Sequence, residues 1–281
     1  MAKYTQDSSD ALVVADADEL MRPTTRRNFV RVMGAGGAVV LLPGVFSACS
    51  TTPGMGATGT GATAMDGGAL TFDLRSDIGI FRLVHTLEQL EAAFYTAVVG
   101  SASFGTFFSA GERELFTDLR NVEIVHREFV RTALGSQAVP DVTGSINTTT
   151  LNAILSSRDG ILGAARLFEH LGVSGLNGAG KYLQDARNLL LAGKFVSVEA
   201  RHAAALRDLA PPSGQSANTA FAGDDIIDMN GMDVKLEAGA ALDRVAATNL
   251  VRNGAVSSRN ISNAPTATQG KASANFFPTT P

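Results

Sequence analysis

The sequence predicts an all-α protein: a four-helix bundle with a long crossover between helices 2 and 3, followed by an extra C-terminal helix. Apolar residues recur at three- and four-residue steps in four stretches, and no stretch keeps the alternation of a β-strand for long. The four stretches form two close pairs joined by one longer connection. This is the topology of a bundle with a single long crossover.

Glycine and proline set the bounds of the first pair. The first helix is predicted over residues 78–99 and the second over about residues 111–134, and a Gly follows each of them. Residues 137–150 contain Pro, Gly and several Thr and Ser, so they are predicted to form the crossover.

The second pair is less regular in sequence. The third helical stretch covers residues 151–171, with a potential break near Asp159 and Gly160. Residues 172–180 hold four Gly and are expected to be irregular in part. The fourth helix is predicted over residues 182–209 and stops before two consecutive Pro.

Composition narrows the chemistry that the chain can perform. The 281 residues carry 23 Lys and Arg against 27 Asp and Glu, a formal net charge of −4. No basic cluster is present, which argues against a general nucleic-acid-binding protein. The single Cys excludes an internal disulfide framework and any multi-cysteine metal site. A site must therefore be built from His, carboxylates or hydroxyls.

Residues 1–48 are interpreted as an export signal. Arg26 and Arg27 precede a polar, an aromatic and an aliphatic residue, and then a Gly-rich apolar stretch over residues 32–48. This arrangement resembles the twin-arginine signal of exported proteins, and the alternative is an ordinary secretory signal whose basic end holds two Arg. The apolar stretch is too short and too rich in Gly to span a membrane comfortably.

Cys49 ends the apolar stretch in a segment that resembles a bacterial lipobox, with Phe46 where Leu is usual. If this segment is processed, Cys49 becomes the lipidated first residue and anchors the protein on the periplasmic or outer side of the cell envelope. The alternative is cleavage nearby, with Cys49 as a spare thiol. Residues 49–74, which are rich in Thr, Gly, Ala and Ser, are then a flexible tether.

The rest of the chain divides into three parts. Residues 75–210 hold the four-helix bundle, and residues 211–252 form an extension with a helix predicted over about residues 236–251. Residues 253–281 are polar without an acidic residue and are expected to be disordered.

Two Glu-x-x-His motifs carry the site prediction. Glu123 and His126 lie three residues apart in the second predicted helix, as do Glu199 and His202 in the fourth. On a helix this spacing puts both side chains on one face, about 60° apart, so that both can bind one cation. Random placement of the Glu and His of this chain gives about 0.14 such motifs. Both pairs lie among apolar residues, where burial costs several kcal/mol without a cation or hydrogen bonds.

A two-metal bundle site also takes one Glu from each of the other two helices. Glu88 and Glu91 lie on the apolar side of the first helix, and Glu169 lies in the third. The order along the chain is then Glu, Glu-x-x-His, Glu, Glu-x-x-His. Four carboxylates and two imidazoles suffice to hold two metal ions with bridging carboxylates and open positions.

Three segments, residues 87–95, 169–174 and 198–204, carry a resemblance to a known family. Through them the stretch 78–209 resembles the ferritin-like superfamily of di-iron and di-manganese carboxylate proteins. Within that superfamily it is similar to bacterial exported ferritin-like proteins associated with desiccation and stress. The resemblance implies two iron or manganese ions, with these ligands: Glu88, Glu123, His126, Glu169, Glu199 and His202.

Three further residues are expected close to these ligands. Glu88 is preferred to Glu91 because Tyr95 follows it by seven residues, a spacing similar to that in ferritins and rubrerythrins; Glu91 is then a neighbour or an alternative ligand. His85 is either an extra ligand or a core or surface His. Tyr95 is either a hydrogen-bonding or redox-active neighbour or an ordinary core Tyr.

Two classes of function compete at this stage. The first is an exported redox metalloprotein that acts on dioxygen, peroxide or metal ions with a stress-protective role, as an oxidase, a peroxidase or a ferroxidase. The second is a non-catalytic envelope protein in which metals or hydrogen-bonded carboxylates hold the bundle, and metal storage is a weaker third. Imidazole and carboxylate ligands suit both iron and manganese. A homo-oligomer is compatible with every class.

Overall fold

The computed structural model describes residues 12–14, 39–41, 70–252 and 255–270. The chain divides into two units, residues 1–63 and 64–281. In the first unit, strands β1 (Leu12–Val14) and β2 (Val39–Leu41) pair in parallel. Arg26, Arg27 and Cys49 lie outside the described residues, so the export signal and the lipidation site stay predictions.

The second unit is helical, and four of its helices are long. Its elements along the chain are β3 (Phe72–Asp73), α1 (Asp77–Val99), α2 (Phe104–Phe107), α3 (Ala110–Leu134), α4 (Thr148–Leu155), α5 (Arg158–Gly180), α6 (Ala186–Leu209), α7 (Ala217–Ala220), α8 (Ala238–Ala247) and β4 (Ile261–Asn263). The predicted all-α fold is confirmed. Among the described residues, no helix combines the length and the apolar character needed to cross a membrane.

The long helices begin at residues whose side chains cap them. Ser76, Ser109, Ser157 and Asp185 each accept a hydrogen bond from a backbone N–H in the first turn of the helix that follows. Ser109 also forms a capping box with Glu112. These local contacts explain why the bounds of α1 and α3 agree with the predicted ones to within one residue.

The bundle consists of two helix pairs, α1 with α3 and α5 with α6. Its core is divided into two apolar clusters, one at each end. On all four helices the candidate ligands fall between residues of the first cluster and residues of the second. A polar layer is therefore enclosed between two apolar ends, which exclude water from it.

The third helix differs from its prediction. The stretch 151–171 is broken as expected, but the break falls at residues 156–157, between α4 and α5, slightly before Asp159 and Gly160. Residues 172–180 were expected to be irregular in part, and that expectation is wrong, since α5 continues to Gly180. A side-chain carbon at Gly178 would overlap the backbone oxygen of Leu236. The glycines are therefore places of close packing inside a helix, and tertiary contact outweighs their low helix propensity.

The turn between α5 and α6 occupies residues 181–185, so α6 begins at Ala186 and not at residue 182 as predicted. Its centre near Gln184 is midway in sequence between Glu169 and Glu199, which brings these two residues level on an antiparallel pair. Asp77 holds the turn against the start of α1 by accepting hydrogen bonds from the backbone N–H groups of Gln184 and Asp185, at 2.8 and 3.1 Å.

The C-terminal part is more ordered than its sequence predicts. Helix α8 is shorter than the predicted 236–251, and residues 255–270, part of the expected disordered tail, are ordered. Strand β4 pairs in parallel with β3, and the Asn260 amide donates to the carbonyl of Leu70 at 2.5 Å. Residues 70–74 were assigned to the tether, but Phe72 and Leu74 are buried in the core. Two segments distant in sequence thus order each other.

Candidate metal centre

Six polar side chains meet in the middle of the bundle, one or two from each long helix. Helix α1 supplies one carboxylate and α5 another, while α3 and α6 each supply a carboxylate and an imidazole. All four carboxylates are at most 2% exposed. The six residues are the ones that the sequence analysis expected to bind metal: Glu88, Glu123, His126, Glu169, Glu199 and His202.

The six residues form two groups that could each hold one ion. The first group is Glu88, Glu123, His126 and Glu199, and the second is Glu123, Glu169, Glu199 and His202. Within each group one ligand atom per residue lies within 4.8 Å of all the others. The Glu of each Glu-x-x-His motif belongs to both groups. A carboxylate shared in this way is placed to bridge two ions.

Both imidazoles turn Nδ1 towards the carboxylates. Nδ1 of His126 lies 2.9 Å from Oε1 of Glu199 and 3.5 Å from Oε2 of Glu88. Nδ1 of His202 lies 3.0 Å from Oε1 of Glu123 and 3.2 Å from Oε2 of Glu169. The two rings are 6.5 Å apart between centroids. Each imidazole thus faces the shared carboxylate of the other motif, and this contact joins the two helix pairs.

The polar atoms of this layer lack the hydrogen bonds that burial normally requires. Oε2 of Glu88, both oxygens of Glu123 and of Glu199, and Nδ1 of His126 are buried without a hydrogen-bond partner among the described residues. Within each group the ligand atoms lie within 4.8 Å of one another, but the orientations of these unpaired atoms do not suit hydrogen bonds between them. Oxygen and imidazole donors that converge in this way fit iron or manganese ions.

Burial acts against charge on the carboxyl groups. It raises the pKa of Glu88, Glu91 and Glu169 well above the usual value, and the charge of Glu199 adds to the effect on all three. In the absence of cations, burial therefore favours the protonated, neutral form of these carboxyls. A metal ion at the site would replace these protons.

The two imidazoles favour the charged form of a neighbouring carboxyl group, which is opposite to the effect of burial. Although burial opposes both shifts, close contact with the charged rings of His126 and His202 holds the pKa of Glu123 at about 2, and contacts with Glu123 and Glu169 raise the pKa of His202 to about 10. Burial likewise opposes charge on His126, but the nearby carboxylates, Glu88 first among them, raise its pKa well above the usual value. Unlike Glu88, Glu91 and Glu169, Glu123 therefore has a lowered pKa and stays ionised at neutral pH.

Tyr95 supports one half of the cluster. Its hydroxyl donates a hydrogen bond to Oε1 of Glu169 at 2.5 Å, and its side chain is fully buried. Burial and the charge of Glu169 raise the pKa of this phenol, which keeps the hydroxyl protonated and able to donate. The structure therefore places Tyr95 beside the cluster as a hydrogen-bonding neighbour of Glu169.

The structure does not bring His85 into either group. It is almost fully buried on α1, and neither ring nitrogen has a hydrogen-bond partner among the described residues. Burial lowers its pKa to about 4, so the ring is neutral at pH 7. Of the two expectations for His85, the geometry favours a core His over an extra ligand.

Glu91 also lies outside both groups, but it reaches the edge of the cluster. A side-chain carbon at Gly172 would lie 3.3 Å from Oε2 of Glu199 and 3.4 Å from Oε1 of Glu91. The absent side chain at Gly172 thus leaves room for both carboxylates. This role of Gly172 was not predicted from the sequence. The available signal was its position on α5, three residues after Glu169.

The fold and the cluster together define a class: a four-helix bundle with one long crossover and a buried carboxylate and imidazole layer able to bind metal. The profile of the ferritin-like domain matches residues 76–211, which span all four long helices. This segment is a ferritin-like domain. Comparison with curated proteins and with solved structures found no match.

Proposed function

We propose that the protein binds two iron or manganese ions in this cluster and that they serve redox chemistry on dioxygen, peroxide or metal ions. One observation carries the proposal: Glu123 and Glu199 belong to both ligand groups. Two independent single-ion sites would not need shared carboxylates. Bound iron or manganese would supply the change of oxidation state that such chemistry requires.

The protein's own residues would prepare the site in three ways. The free oxygens of Glu123 and Glu199 allow each carboxylate to contact both ions. The hydrogen bond from Tyr95 holds one oxygen of Glu169 and leaves the other directed at His202. The apolar clusters on both sides exclude bulk water, which strengthens electrostatic interactions within the site.

Metal analysis of the purified protein is the direct test. We expect about two equivalents of iron or manganese, as in di-metal carboxylate bundles. Glu123→Gln should lose both, because the amide cannot bridge two cations. The matched control is Glu128→Gln on the same helix, since Glu128 pairs with Arg127 and Arg131 at 2.8 and 2.6 Å, outside the cluster. A metal-free protein whose thermal stability is unaffected by a chelator would contradict the proposal.

Turnover of the metal-loaded protein separates the redox function from its alternatives. Oxidation of the bound ions by dioxygen or peroxide, with return to the reduced state on adding a reductant, supports an oxidase, peroxidase or ferroxidase. Bound metal without such a cycle would support a non-catalytic envelope protein. Uptake of many equivalents per chain would support storage.

We also propose that the protein is exported by the twin-arginine route and anchored through a lipid on Cys49, with a stress-protective role. The arginine pair, the apolar stretch after it and the position of the single Cys support this. Export of folded proteins suits a protein that must acquire its metal ions before export.

Cell fractionation of variants tests the export proposal. Replacing Arg26 and Arg27 with Lys should retain the protein in the cytoplasm, whereas the control Arg22→Lys should be exported. Cys49→Ala should be exported but released from the membrane fraction, unlike Ser50→Ala. Membrane retention of Cys49→Ala would contradict the lipid anchor.

A further inference from the structure

A small apolar pocket adjoins the polar layer on the side of α1 and α5. Its volume is about 20 Å³, which is room for one very small molecule. Apolar side chains make up most of its lining: Leu87, Leu90, Phe168, Leu171, Val245 and Leu250. Val245 belongs to α8 and Leu250 follows that helix, so part of the wall lies outside the ferritin-like match at 76–211.

The pocket borders the cluster at one point. Gly172 and Glu91 complete its lining, and Glu91 is the single charged group there. A side-chain carbon at Gly172 would lie within 3.4 Å of both Glu91 and the shared ligand Glu199. A molecule in the pocket is therefore separated from a bridging carboxylate only by the bare backbone of α5 and the carboxyl group of Glu91.

The chemistry of the lining selects what the pocket can hold. Water needs two to four polar partners in a cavity, and this lining offers the carboxyl group of Glu91 alone. Hydrogen peroxide, with two hydroxyl groups, has the same need. An apolar cavity of this kind stays dry and takes up apolar molecules or noble gases. Dioxygen is apolar and small enough.

From these observations we infer that the pocket is the binding and entry site for dioxygen, and that the C-terminal segment forms part of its wall. The inference rests on the proposed di-metal function, because dioxygen is one of the substrates considered there. It assigns a role to residues that the ferritin-like match leaves out: α8 and Leu250 shape the approach to the ions.

Xenon provides a test that does not depend on metal. A crystal structure of the metal-free full chain under xenon pressure should show a xenon atom against Val245 and Leu250. Val245→Phe fills the pocket and should abolish that site, while Val245→Ala at the same position should keep or enlarge it. Val173→Ala is the matched control, since Val173 is a buried Val of α5 outside the lining. A pocket without xenon in the unaltered protein would overturn the inference.

The second arm measures oxidation of the ferrous-loaded protein. Val245→Phe should slow the reaction with dissolved dioxygen by about tenfold or more, as expected when the preferred cavity is filled, without change in bound iron. Val245→Ala and Val173→Ala should react as fast as the unaltered protein or faster. If Val245→Phe reacts with dioxygen at the unaltered rate, or slows equally towards peroxide, the assignment to dioxygen is wrong.

The two proposals fail in different ways. If the unaltered protein binds no metal, the proposed function fails while the xenon structure still decides whether the pocket admits an apolar molecule. If metal binds and Val245→Phe leaves the dioxygen rate unchanged, the inference about the pocket fails and the di-metal centre stands.

Discussion

The two helix pairs of the bundle contribute the same set of ligand types but hold them differently. The α1–α3 pair supplies Glu88 with Glu123 and His126, and the α5–α6 pair supplies Glu169 with Glu199 and His202. Tyr95 donates a hydrogen bond to Glu169, whereas Oε2 of Glu88 has no hydrogen-bond partner among the described residues.

The pairs also differ in what lies outside them. Helix α1 is covered by the crossover, which Gln89 holds through hydrogen bonds with the carbonyl of Pro140 and the backbone N–H of Val142. Helix α5 presents its glycines to the C-terminal segment, whose Leu236 backbone donates to Ser174 at 2.8 Å. A repeated ligand pattern therefore does not make two equivalent half-sites. The α5–α6 half is the more firmly held without metal.

The largest effect should come from removing a shared ligand. Glu199→Ala should lose both ions, because Glu199 belongs to both groups, while Glu88→Ala should lose about one equivalent, since it belongs to one. Metal content measured against protein concentration decides between these outcomes. Loss of equal amounts in the two variants would contradict the assignment of Glu199 as a bridge.

Close packing against α5 gives the next largest effect. Gly178→Ala places a methyl group on the backbone of Leu236, and we expect a loss of about 3 kcal/mol in the free energy of unfolding. Gly163→Ala on the same helix meets nothing within 4 Å and should instead stabilise the protein by about 0.5–1 kcal/mol. Denaturant unfolding measures both. Equal stability of the two variants would show that the C-terminal segment does not pack as described.

The metal-free protein should lose stability as the pH rises. The folded-state pKa of His202 is raised from 6.5 to about 10, and those of Glu88, Glu91, Glu169 and His126 are raised as well. The contribution of each of these groups to the free energy of unfolding is complete below its unfolded-state pKa. That contribution is lost as the pH rises through the folded-state pKa. Glu123, lowered from 4.5 to about 2, acts oppositely, and its contribution is lost as the pH falls through that range.

Urea unfolding of chelator-treated protein between pH 5 and pH 9 tests this trend. Glu88→Gln, which mimics the protonated carboxyl, should flatten it, and Glu128→Gln should not. Saturating metal should reverse the trend, because deprotonated ligands bind cations more tightly. A metal-free protein that gains stability across this pH range would contradict the predicted protonation.

The smallest effect tests the contrast between the half-sites. Tyr95→Phe removes the hydrogen bond to buried Glu169 and should lower the free energy of unfolding by about 1–2 kcal/mol. The matched control is Tyr182→Phe, whose hydroxyl donates to Glu237 at an exposed site, with an expected loss below about 0.5 kcal/mol. Metal titration should then show one ion bound more weakly than in the unaltered protein and one ion bound with unchanged affinity. Weakening of both ions alike would remove the distinction between the halves.

Much of the bundle and its ligand set was predictable from sequence because the signals are local. A capping Ser, an apolar stripe and a following Gly define α1 and α3 within a few residues of chain. The three-residue spacing of Glu123 and His126 places both on one face of their helix, independently of how the other helices pack. These features do not depend on which distant segments meet.

The remaining features depend on contacts between segments that are distant in sequence, so they become visible only once the chain is folded. A side chain at position 178 would overlap the backbone of Leu236, which lies 58 positions later in the chain. Gly is therefore accommodated inside α5 despite its low helix propensity. Residues 255–270 are ordered because β4 pairs with β3, far away at the start of the unit. The hydrogen bond from Tyr95 to Glu169 and the pocket lined in part by Val245 arise in the same way. Packing of this kind is a property of two surfaces together, so neither segment's sequence specifies it alone.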